Sequence, residues 1–546
     1  MFERHLSMPF WIPSGEGFLS AAWLWPIIDV PQRPLGVLIV PGIAMEDRTI
    51  SVNIVPLAES LAAAGLATMI VSLQGTGQSS GDLSTANVAD SWNADVRCGL
   101  QHMRAAGFTD VIVVAIRLSA LVVLETLTDD EVTGVVLWAP AFSGRRYARE
   151  LSMLAATGYA GRHGRTQDLP VVIGTFPLAS ALLDRLKTMK APTTRRPAAA
   201  MLIVDSPERL DSASVDELRA AGATVDVRVG DETKAWLYTF SDAASVPRTD
   251  SEHIVQWIAR LSGAPRSHPL PAPSVPGHHE FERNGVLITE RYVRFSTSNL
   301  VGIYTTAAQP TDRDDTAWVM VISVQPGKVF VDFARDEAAR SHASLRFDLS
   351  SNGLSPQRKR QGRGELNGKY GPIDVALAVD WMQSKHTNLS LLGFCSGAIA
   401  SINVAPQPAV RSIVGINPPV FIPKHSWRTS DGQSGSGLWK AINCVDRRRF
   451  GERLRWKFRR DWYRWSSSLR LLGRHRLSGT RVLLQYDSVD PGWLYLRTVL
   501  SEALSITGKE GTIEVEVYSN IGHLLDRPDG REQVMADALA FGSRSD

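Results

Sequence analysis

The chain repeats a set of landmarks across its middle at a nearly constant spacing. Gly77 in SLQGTGQSSGD aligns with Gly353 in FDLSSNGLSP, and Pro140 in VVLWAPAF aligns with Pro418 in IVGINPPVF. The sequence separations of these two pairs agree to within two positions. A shared offset between independent motifs indicates an internal repeat. The sequence therefore predicts two tandem copies of one fold within its 546 residues.

Each copy alternates short apolar runs with longer stretches of helical periodicity. The first copy has the strand-like runs VLIV, ATMIVSL, VIVVAI and GVVLWA, with the helix-like AESLAAAGL and NADVRCGLQHMRAAG between them. The second copy has WVMVISV, SLRFDLS, LSLLGF, SIVGIN, RVLLQYD and TIEVEVY. Short runs that are apolar on both faces are typical of parallel sheets covered by helices on both sides. The predicted fold class is α/β, with a mostly parallel sheet in each of two domains.

A proline-rich stretch separates the two copies. Residues 263–279, GAPRSHPLPAPSVPGHH, lack apolar periodicity and predict a semi-rigid, extended linker. The expected domains are then 1–262 and 280–546.

Composition narrows the class of protein. Hydrophobic residues make up 44% of the chain and charged residues 21%, as in ordinary soluble proteins, and the net charge of +3 is not that of a nucleic-acid-binding protein. Three cysteines do not form a disulfide framework. The N-terminus does not resemble a signal peptide, and no run of about 20 apolar residues predicts a membrane span. We therefore expect a cytoplasmic protein without metal or cofactor.

One of the three cysteines occupies a special position. In LLGFCSGAIAS, Cys395 lies midway between Gly393 and Gly397, where a predicted strand ends and a helix begins. Small neighbours on either side of a sharp strand-to-helix turn are typical of the nucleophile elbow, G-x-[S/C]-x-G. The helix N-terminus favours the thiolate. The backbone N–H of Ser396, with a second N–H from the loop between Gln325 and Gly327, would form an oxyanion hole.

Both halves resemble the α/β-hydrolase fold, and the resemblance covers nearly the whole chain. The second half is similar to hydrolases with a GxCSGA elbow and a later INP segment, found with bacterial exopolysaccharide and exosortase-associated genes. The first half, with Ile116-Arg117-Leu118 at its elbow, resembles exosortase-associated hydrolases whose elbow reads GLRLGA.

The resemblance implies a catalytic order of nucleophile, acid and histidine. In the second half, Asp490 follows the strand RVLLQYD and His523 follows TIEVEVY, so the expected triad is Cys395, Asp490 and His523. Asp487 is the alternative acid. Cys98 and Cys444 lack a comparable setting and are expected to be structural.

The first half does not supply this triad. Its elbow position is Arg117, which is neither nucleophile nor base at neutral pH. His253 lies in the predicted terminal helix SEHIVQWIARL and not in the preceding loop, so Asp205 or Asp211 would have no histidine to orient. We expect a non-catalytic copy, in which Arg117 either pairs with an acid or binds an anionic group.

An arginine-rich, aromatic segment at 444–476 lies where α/β-hydrolases insert a cap, here expected over about 422–478. Its arginines, including Arg455, Arg459 and Arg460, suit an anionic substrate or acyl carrier, or peripheral contact with an anionic membrane. Nucleic acid is not an expected partner. The alternative is an amphipathic cap with a solvated basic face.

Three functional hypotheses remain from sequence alone. The first is an ester or thioester hydrolase that forms an S-acyl-cysteine intermediate. The second is an acyltransferase that passes the same acyl group to an amine or alcohol. The third is a non-enzymatic scaffold in which both copies are inactive.

Overall fold

The computed structural model divides the chain into two compact units. The first unit comprises Met1–Ser241 and Ser245–His279, and the second comprises Asp242–Ala244 and Glu280–Asp546. The residues that the structure describes are 5–44, 46, 52–157, 171–173, 176–237, 245–309, 316–322, 328–358, 370–418, 474–475, 478–490, 492–493, 496, 513–519, 521–522, 525 and 527–544.

The first unit is built on a sheet whose described strands follow the order β1-β2-β4-β3-β5-β6-β9-β10. The strands are β1 (His5–Ser14), β2 (Gly17–Pro26), β3 (Gly36–Val40), β4 (Thr68–Val71), β5 (Val111–Ile116), β6 (Gly134–Trp138), β9 (Ala200–Asp205) and β10 (Thr224–Val229), with β7 (Val171–Ile173) and β8 (Phe176–Leu178) forming a separate hairpin. From β4 to β10 the pairs are parallel, whereas β1-β2 and β2-β4 are antiparallel.

Helices connect the parallel strands of the first unit. They are α1 (Ile54–Ala63), α2 (Trp92–Ala105), α3 (Leu118–Thr126), α4 (Gly144–Thr157), α5 (Ser180–Thr188), α6 (Ser212–Ala220), α7 (Thr233–Trp236) and α8 (Arg248–Leu261), with a short 3-10 helix at Val88–Asp90. Every residue of β3, β5 and β6 is buried, as the continuous apolar runs predict for a sheet covered on both faces.

The second unit repeats this strand order and adds one strand at the edge: β11-β12-β13-β15-β14-β16-β17-β18-β19. Its strands are β11 (His278–Arg283), β12 (Val286–Phe295), β13 (Leu300–Ala307), β14 (Thr316–Ile322), β15 (Ala343–Asp348), β16 (Asn388–Phe394), β17 (Val410–Ile416), β18 (Arg481–Asp487) and β19 (Ile513–Tyr518). Its described helices are α9 (Val329–Ala339), α10 (Gly371–Gln383), α11 (Ser396–Ile402) and α12 (Pro528–Gly542). The pairs from β15 to β19 are all parallel.

The proline-rich stretch at 263–279 lies within the first unit. Between 264 and 277 its backbone forms neither helix nor strand. The Arg266 N–H donates to the Gln32 carbonyl at 2.7 Å, and the Leu270 N–H donates to Gln32 Oε1 at 2.6 Å. These hydrogen bonds hold the stretch along the first unit.

Within the described part of the chain, no helix combines the length and the apolar character that crossing a bilayer requires.

Candidate active site

Cys395 occupies the turn between β16 and α11 in the second unit. Its backbone has φ 51° and ψ −119°, a conformation that a residue with a side chain rarely adopts. Its N–H donates to the Ile416 carbonyl of the neighbouring strand β17 at 2.9 Å. The side chain is half-buried and is not in a disulfide. The strained strand-to-helix turn is the local geometry that the GFCSG motif predicts.

Both positions of this elbow require glycine, because backbone atoms of other residues lie too close for a Cβ. A Cβ at Gly393 would lie 2.6 Å from the backbone nitrogen of Ala398, across the turn. A Cβ at Gly397 would lie 2.1 Å from the carbonyl oxygen of Val321 in β14. The crowding involves backbone atoms, so a rotamer change cannot relieve it.

We expect Gly397→Ala to lower the free energy of unfolding of the second unit by about 1–3 kcal/mol, the usual cost of overpacking a buried site. Urea denaturation, followed by hydrogen exchange in peptides from β14 and β16, measures this change. Gly277→Ala is the matched control, because a Cβ there would meet nothing within 4 Å. Equal stability of the two variants would show that the elbow tolerates a larger residue.

The carboxyl ends of the parallel strands meet at the same edge of the sheet, where the elbow lies. Strand β18, two places from β16, ends at Asp487, and Asp490 follows in the next turn. Strand β19 is next to β18, and the segment that follows it contains His523. The strand order therefore brings the segments that carry Cys395, Asp490 and His523 to one edge of the sheet.

Asp487 is buried and holds the backbone just before His523. Its Oδ2 accepts the N–H groups of Ile521 at 3.0 Å and Gly522 at 2.8 Å, and its Oδ1 accepts the Val489 N–H at 2.9 Å. Asn417 completes this arrangement, because its Nδ2 donates to the Gly522 carbonyl at 3.0 Å and its Oδ1 accepts the Asp487 N–H at 3.0 Å. Asp487 is thus engaged with backbone through both carboxylate oxygens.

Asp490 is also buried, at 2% exposure, but it has a different environment. Its Oδ1 accepts the Gly492 N–H at 2.7 Å. Burial, together with the negative charge of Asp490, holds the pKa of Tyr486 well above its ordinary value of 10. The Tyr486 hydroxyl donates to the Pro418 carbonyl at 3.1 Å.

The remaining expected site residues lie outside the described residues. They are the histidine His523, the oxyanion-loop residues Gln325 and Gly327, the cap arginines Arg455, Arg459 and Arg460, and the third cysteine, Cys444. Ser396, whose N–H is the other expected oxyanion donor, is described and begins α11.

In the first unit, Arg117 occupies the position that corresponds to Cys395. It lies between β5 and α3 with φ 55° and ψ −119°, and its N–H donates to the Trp138 carbonyl of β6 at 3.1 Å. The elbow backbone is therefore the same in both units, although the side chains differ completely.

The Arg117 side chain is fully buried and paired with two acids. Its Nε donates to Glu46 Oε1 at 2.9 Å, its Nη2 donates to Glu150 Oε2 at 2.7 Å, and its Nη1 donates to the Ala139 carbonyl at 3.1 Å. The Tyr147 hydroxyl also donates to Glu46 Oε1, at 3.1 Å. Of the two expected roles, pairing with an acid is the one that these contacts support.

The pKa values of the two acids shift in opposite directions. Burial raises the pKa of Glu46 above its ordinary value, although the charge of Arg117 opposes this effect. Burial also acts on Glu150, but the charges of Arg117 and Arg209 outweigh it and lower the pKa of that carboxyl. Sequence reasoning did not identify either acid. Glu46 carries one available signal, since it follows β3 in the loop where the fold builds its oxyanion hole.

The other candidates of the first unit have structural positions. His253 lies inside α8, as expected, and not in a loop at the strand ends. Asp211 caps α6, where its side chain accepts the Ser214 N–H at 3.3 Å. Asp205 ends β9 and accepts the Ser206 N–H at 2.8 Å.

Comparison with known proteins identifies the fold. Residues 36–232 match the family model described as serine aminopeptidase, S33, and this range lies within the first unit. No curated protein sequence matches the chain. Similar solved structures include Est1E from Butyrivibrio proteoclasticus, with 16% identity, a TM-score of 0.34 and coverage of 46% of this chain and 98% of that protein. An esterase from Pyrococcus furiosus has 13% identity, a TM-score of 0.33 and coverage of 47% and 92%.

The chain thus has the α/β-hydrolase fold in two domains, as the sequence predicts. The family match falls on the unit whose elbow residue is Arg117, so it describes the fold there and not a working nucleophile. The catalytic capacity of each unit depends on its own residues.

Proposed function

We propose that the second unit hydrolyses carboxylic esters or thioesters through an S-acyl-cysteine intermediate, with Cys395 as nucleophile, His523 as general base and Asp490 as the acid that orients it. The observation that supports this most strongly is the backbone of Cys395, held at φ 51° at the carboxyl end of β16. A strained turn at this point raises the thiol above the sheet edge, where an acyl group has access to it.

The proposed reaction has two steps, acylation of Cys395 and hydrolysis of the acyl-cysteine. The Cys395 sulfur attacks the acyl carbon while His523 takes the thiol proton, and the N–H groups of Ser396 and the Gln325–Gly327 loop stabilise the oxyanion. The leaving alcohol or thiol departs with the proton from His523, which leaves the acyl group on sulfur. Water, deprotonated by His523, then attacks the thioester and releases the acid and the free thiol.

The contacts of the two aspartates support Asp490 as the catalytic acid. Asp487 uses both oxygens to hold the backbone of residues 489, 521 and 522, which makes it a positioning residue for the histidine segment. Asp490 accepts the Gly492 N–H through Oδ1 and lies further along the loop after β18. We therefore assign orientation of the imidazole to Asp490.

We also infer that the two units are tandem copies of one domain, of which the first has lost catalysis. Arg117 and Cys395 share one backbone conformation, and their separation in sequence equals that between Pro140 and Pro418. Ala139 and Asn417 have this same separation, and both have positive φ at the end of the next strand. Corresponding backbone strain at corresponding positions supports common descent.

The proposal is tested with the full chain on a panel of neutral p-nitrophenyl esters and anionic coenzyme A thioesters. We expect His523→Ala to lower kcat by about a hundredfold or more, since it removes the general base. Asp490→Asn should lower kcat by a similar factor with little loss of stability, whereas Asp487→Asn should chiefly lower the unfolding temperature. If Asp487→Asn instead abolishes turnover in a fully folded protein, Asp487 is the catalytic acid and Asp490 is the positioning residue. If His523→Ala retains full turnover, the triad is wrong.

Product analysis separates hydrolysis from transfer. An acyl-cysteine reacts readily with amines and alcohols, so the same intermediate would serve an acyltransferase. Release of free acid at a rate that added amine or alcohol does not change supports the hydrolase. Acylated acceptor as the main product would assign the chain to acyl transfer.

A further inference from the structure

A cavity lies over the elbow of the first unit, where the catalytic copy of this fold would bind substrate. Its volume is about 600 Å³, which falls within the range of small-molecule sites. It is lined by residues from the elbow, from the segment after β6, from α4 and from the segment after β9. Arg117 has replaced the nucleophile, but the space in front of it remains open.

The charged side chains at the inner end of this cavity are already paired with one another. Glu150 bridges two guanidinium groups, accepting Arg117 Nη2 at 2.7 Å through Oε2 and Arg209 Nη1 at 2.9 Å through Oε1. A ligand anion at this depth would have to displace Glu150 from both partners. The anionic part of any ligand is therefore expected elsewhere in the cavity.

The walls of the cavity are largely apolar. Phe142 and Leu154 line it together with Pro140 and Ala141. Met153 also lines it and is 70% exposed. An apolar concave surface of this kind favours the non-polar body of a ligand over water.

The mouth of the cavity carries one cation without a counter-ion among the described residues. Arg146 lies 3.5 Å from Asp211, and Glu208 pairs with Lys234 at 2.7 Å, so these rim charges are matched. Arg149 lines the cavity and is exposed, and no described acid lies within ion-pair distance of it. Arg149 and Met153 are four residues apart in α4, so they lie on the same face of the helix.

We propose that this cavity binds a small molecule with an apolar body and a single carboxylate group. The body packs against Met153, Leu154 and Phe142, and the carboxylate pairs with Arg149 at the mouth. This makes the first unit a ligand-binding domain for an amphipathic acid. The site does not depend on whether Cys395 is a nucleophile, because all of its lining residues belong to the first unit.

Calorimetric titration of the full chain with octanoate, and separately with octanol, tests the proposal. We expect octanoate to bind at one site at least about tenfold more tightly than octanol, which lacks the carboxylate. Arg149→Gln should lower the octanoate affinity by about tenfold, and Met153→Ser by about threefold. Arg145→Gln is the matched control, since Arg145 is an exposed residue of the same helix that does not line the cavity, and it should stay within twofold of the parent.

Four results would contradict the proposed ligand site. Absence of octanoate binding, equal affinity for octanoate and octanol, or an Arg149→Gln variant that binds like the parent would each overturn the proposal. Equal losses in Arg149→Gln and Arg145→Gln would also overturn it, because they would show attraction by the general charge of α4. Circular dichroism and thermal unfolding confirm that each variant is folded before titration.

Discussion

Replacing Cys395 with alanine is expected to abolish ester and thioester turnover while the second unit stays folded. The thiol is the nucleophile that forms the acyl-enzyme intermediate in the proposed mechanism, so we expect kcat to fall by about a thousandfold or more without it. Its sulfur makes no disulfide, and alanine tolerates the elbow backbone about as well as cysteine does. Steady-state kinetics on the ester panel, with circular dichroism on the same samples, measures both parts of this prediction.

Cys98→Ala provides the matched control for this experiment. Cys98 is likewise partly buried and not in a disulfide, but it lies in α2 of the first unit. We expect its removal to leave turnover within about twofold of the parent. Comparable losses in both variants would indicate a general requirement for thiols, and full activity in Cys395→Ala would exclude the mechanism.

The second large effect is expected at Arg117. Arg117→Met should lower the free energy of unfolding of the first unit by about 3–5 kcal/mol, because it leaves Glu46 as a buried acid without its cation. The Arg117 and Glu46 side chains are 0% and 1% exposed, so solvent cannot compensate for the loss. Hydrogen-exchange mass spectrometry of peptides from β5 and β6 measures the change within this unit.

Two further variants separate charge from volume at this site. The double variant Glu46→Gln, Arg117→Met should recover much of the lost stability, since it removes both buried charges together. Arg146→Met is the control, because Arg146 lines the same cavity but is 75% exposed. A loss below about 1 kcal/mol in Arg117→Met, or one equal to that of Arg146→Met, would contradict a structural role for the buried pair.

The central parts of the fold could be predicted from sequence because their signals are local. Runs such as VIVVAI and LSLLGF became β5 and β16, since a strand buried on both faces needs a continuous apolar stretch. The elbow followed from Gly393 and Gly397, where backbone atoms of Ala398 and Val321 leave no room for a Cβ. The antiparallel strands β1 and β2 were not predicted; β2 pairs with β4, and β1 forms the edge of the sheet.

Long-range polar contacts were not predictable in the same way. Glu46 and Glu150 meet Arg117 from 71 and 33 residues away, and no spacing rule connects them. Two buried aspartates, Asp95 and Asp374, illustrate the same point. Each lies in the first turn of a helix, where an acid is usually solvated, yet they accept the N–H groups of Gln74 at 2.9 Å and Ser350 at 2.8 Å. Only the packing of distant segments gives these residues their roles.

The different contacts of Asp487 and Asp490 also depend on segments that are distant in sequence. Both follow the strand RVLLQYD, and the sequence alone leaves either as the acid. The backbone groups that engage Asp487 come from residues 521 and 522, which become neighbours only because β19 lies beside β18. Strand order, rather than residue type, therefore favours Asp490.

The most direct test of catalysis by the second unit is to locate the acyl group on the protein. The full chain is incubated briefly with p-nitrophenyl acetate, quenched in acid and digested, and the acetylated peptide is sequenced by mass spectrometry. We expect one acetyl group on Cys395, which hydroxylamine removes and which is absent in Cys395→Ala. Acetyl groups that appear only on lysines, or equally on Cys98 and Cys444, would contradict Cys395 as the nucleophile.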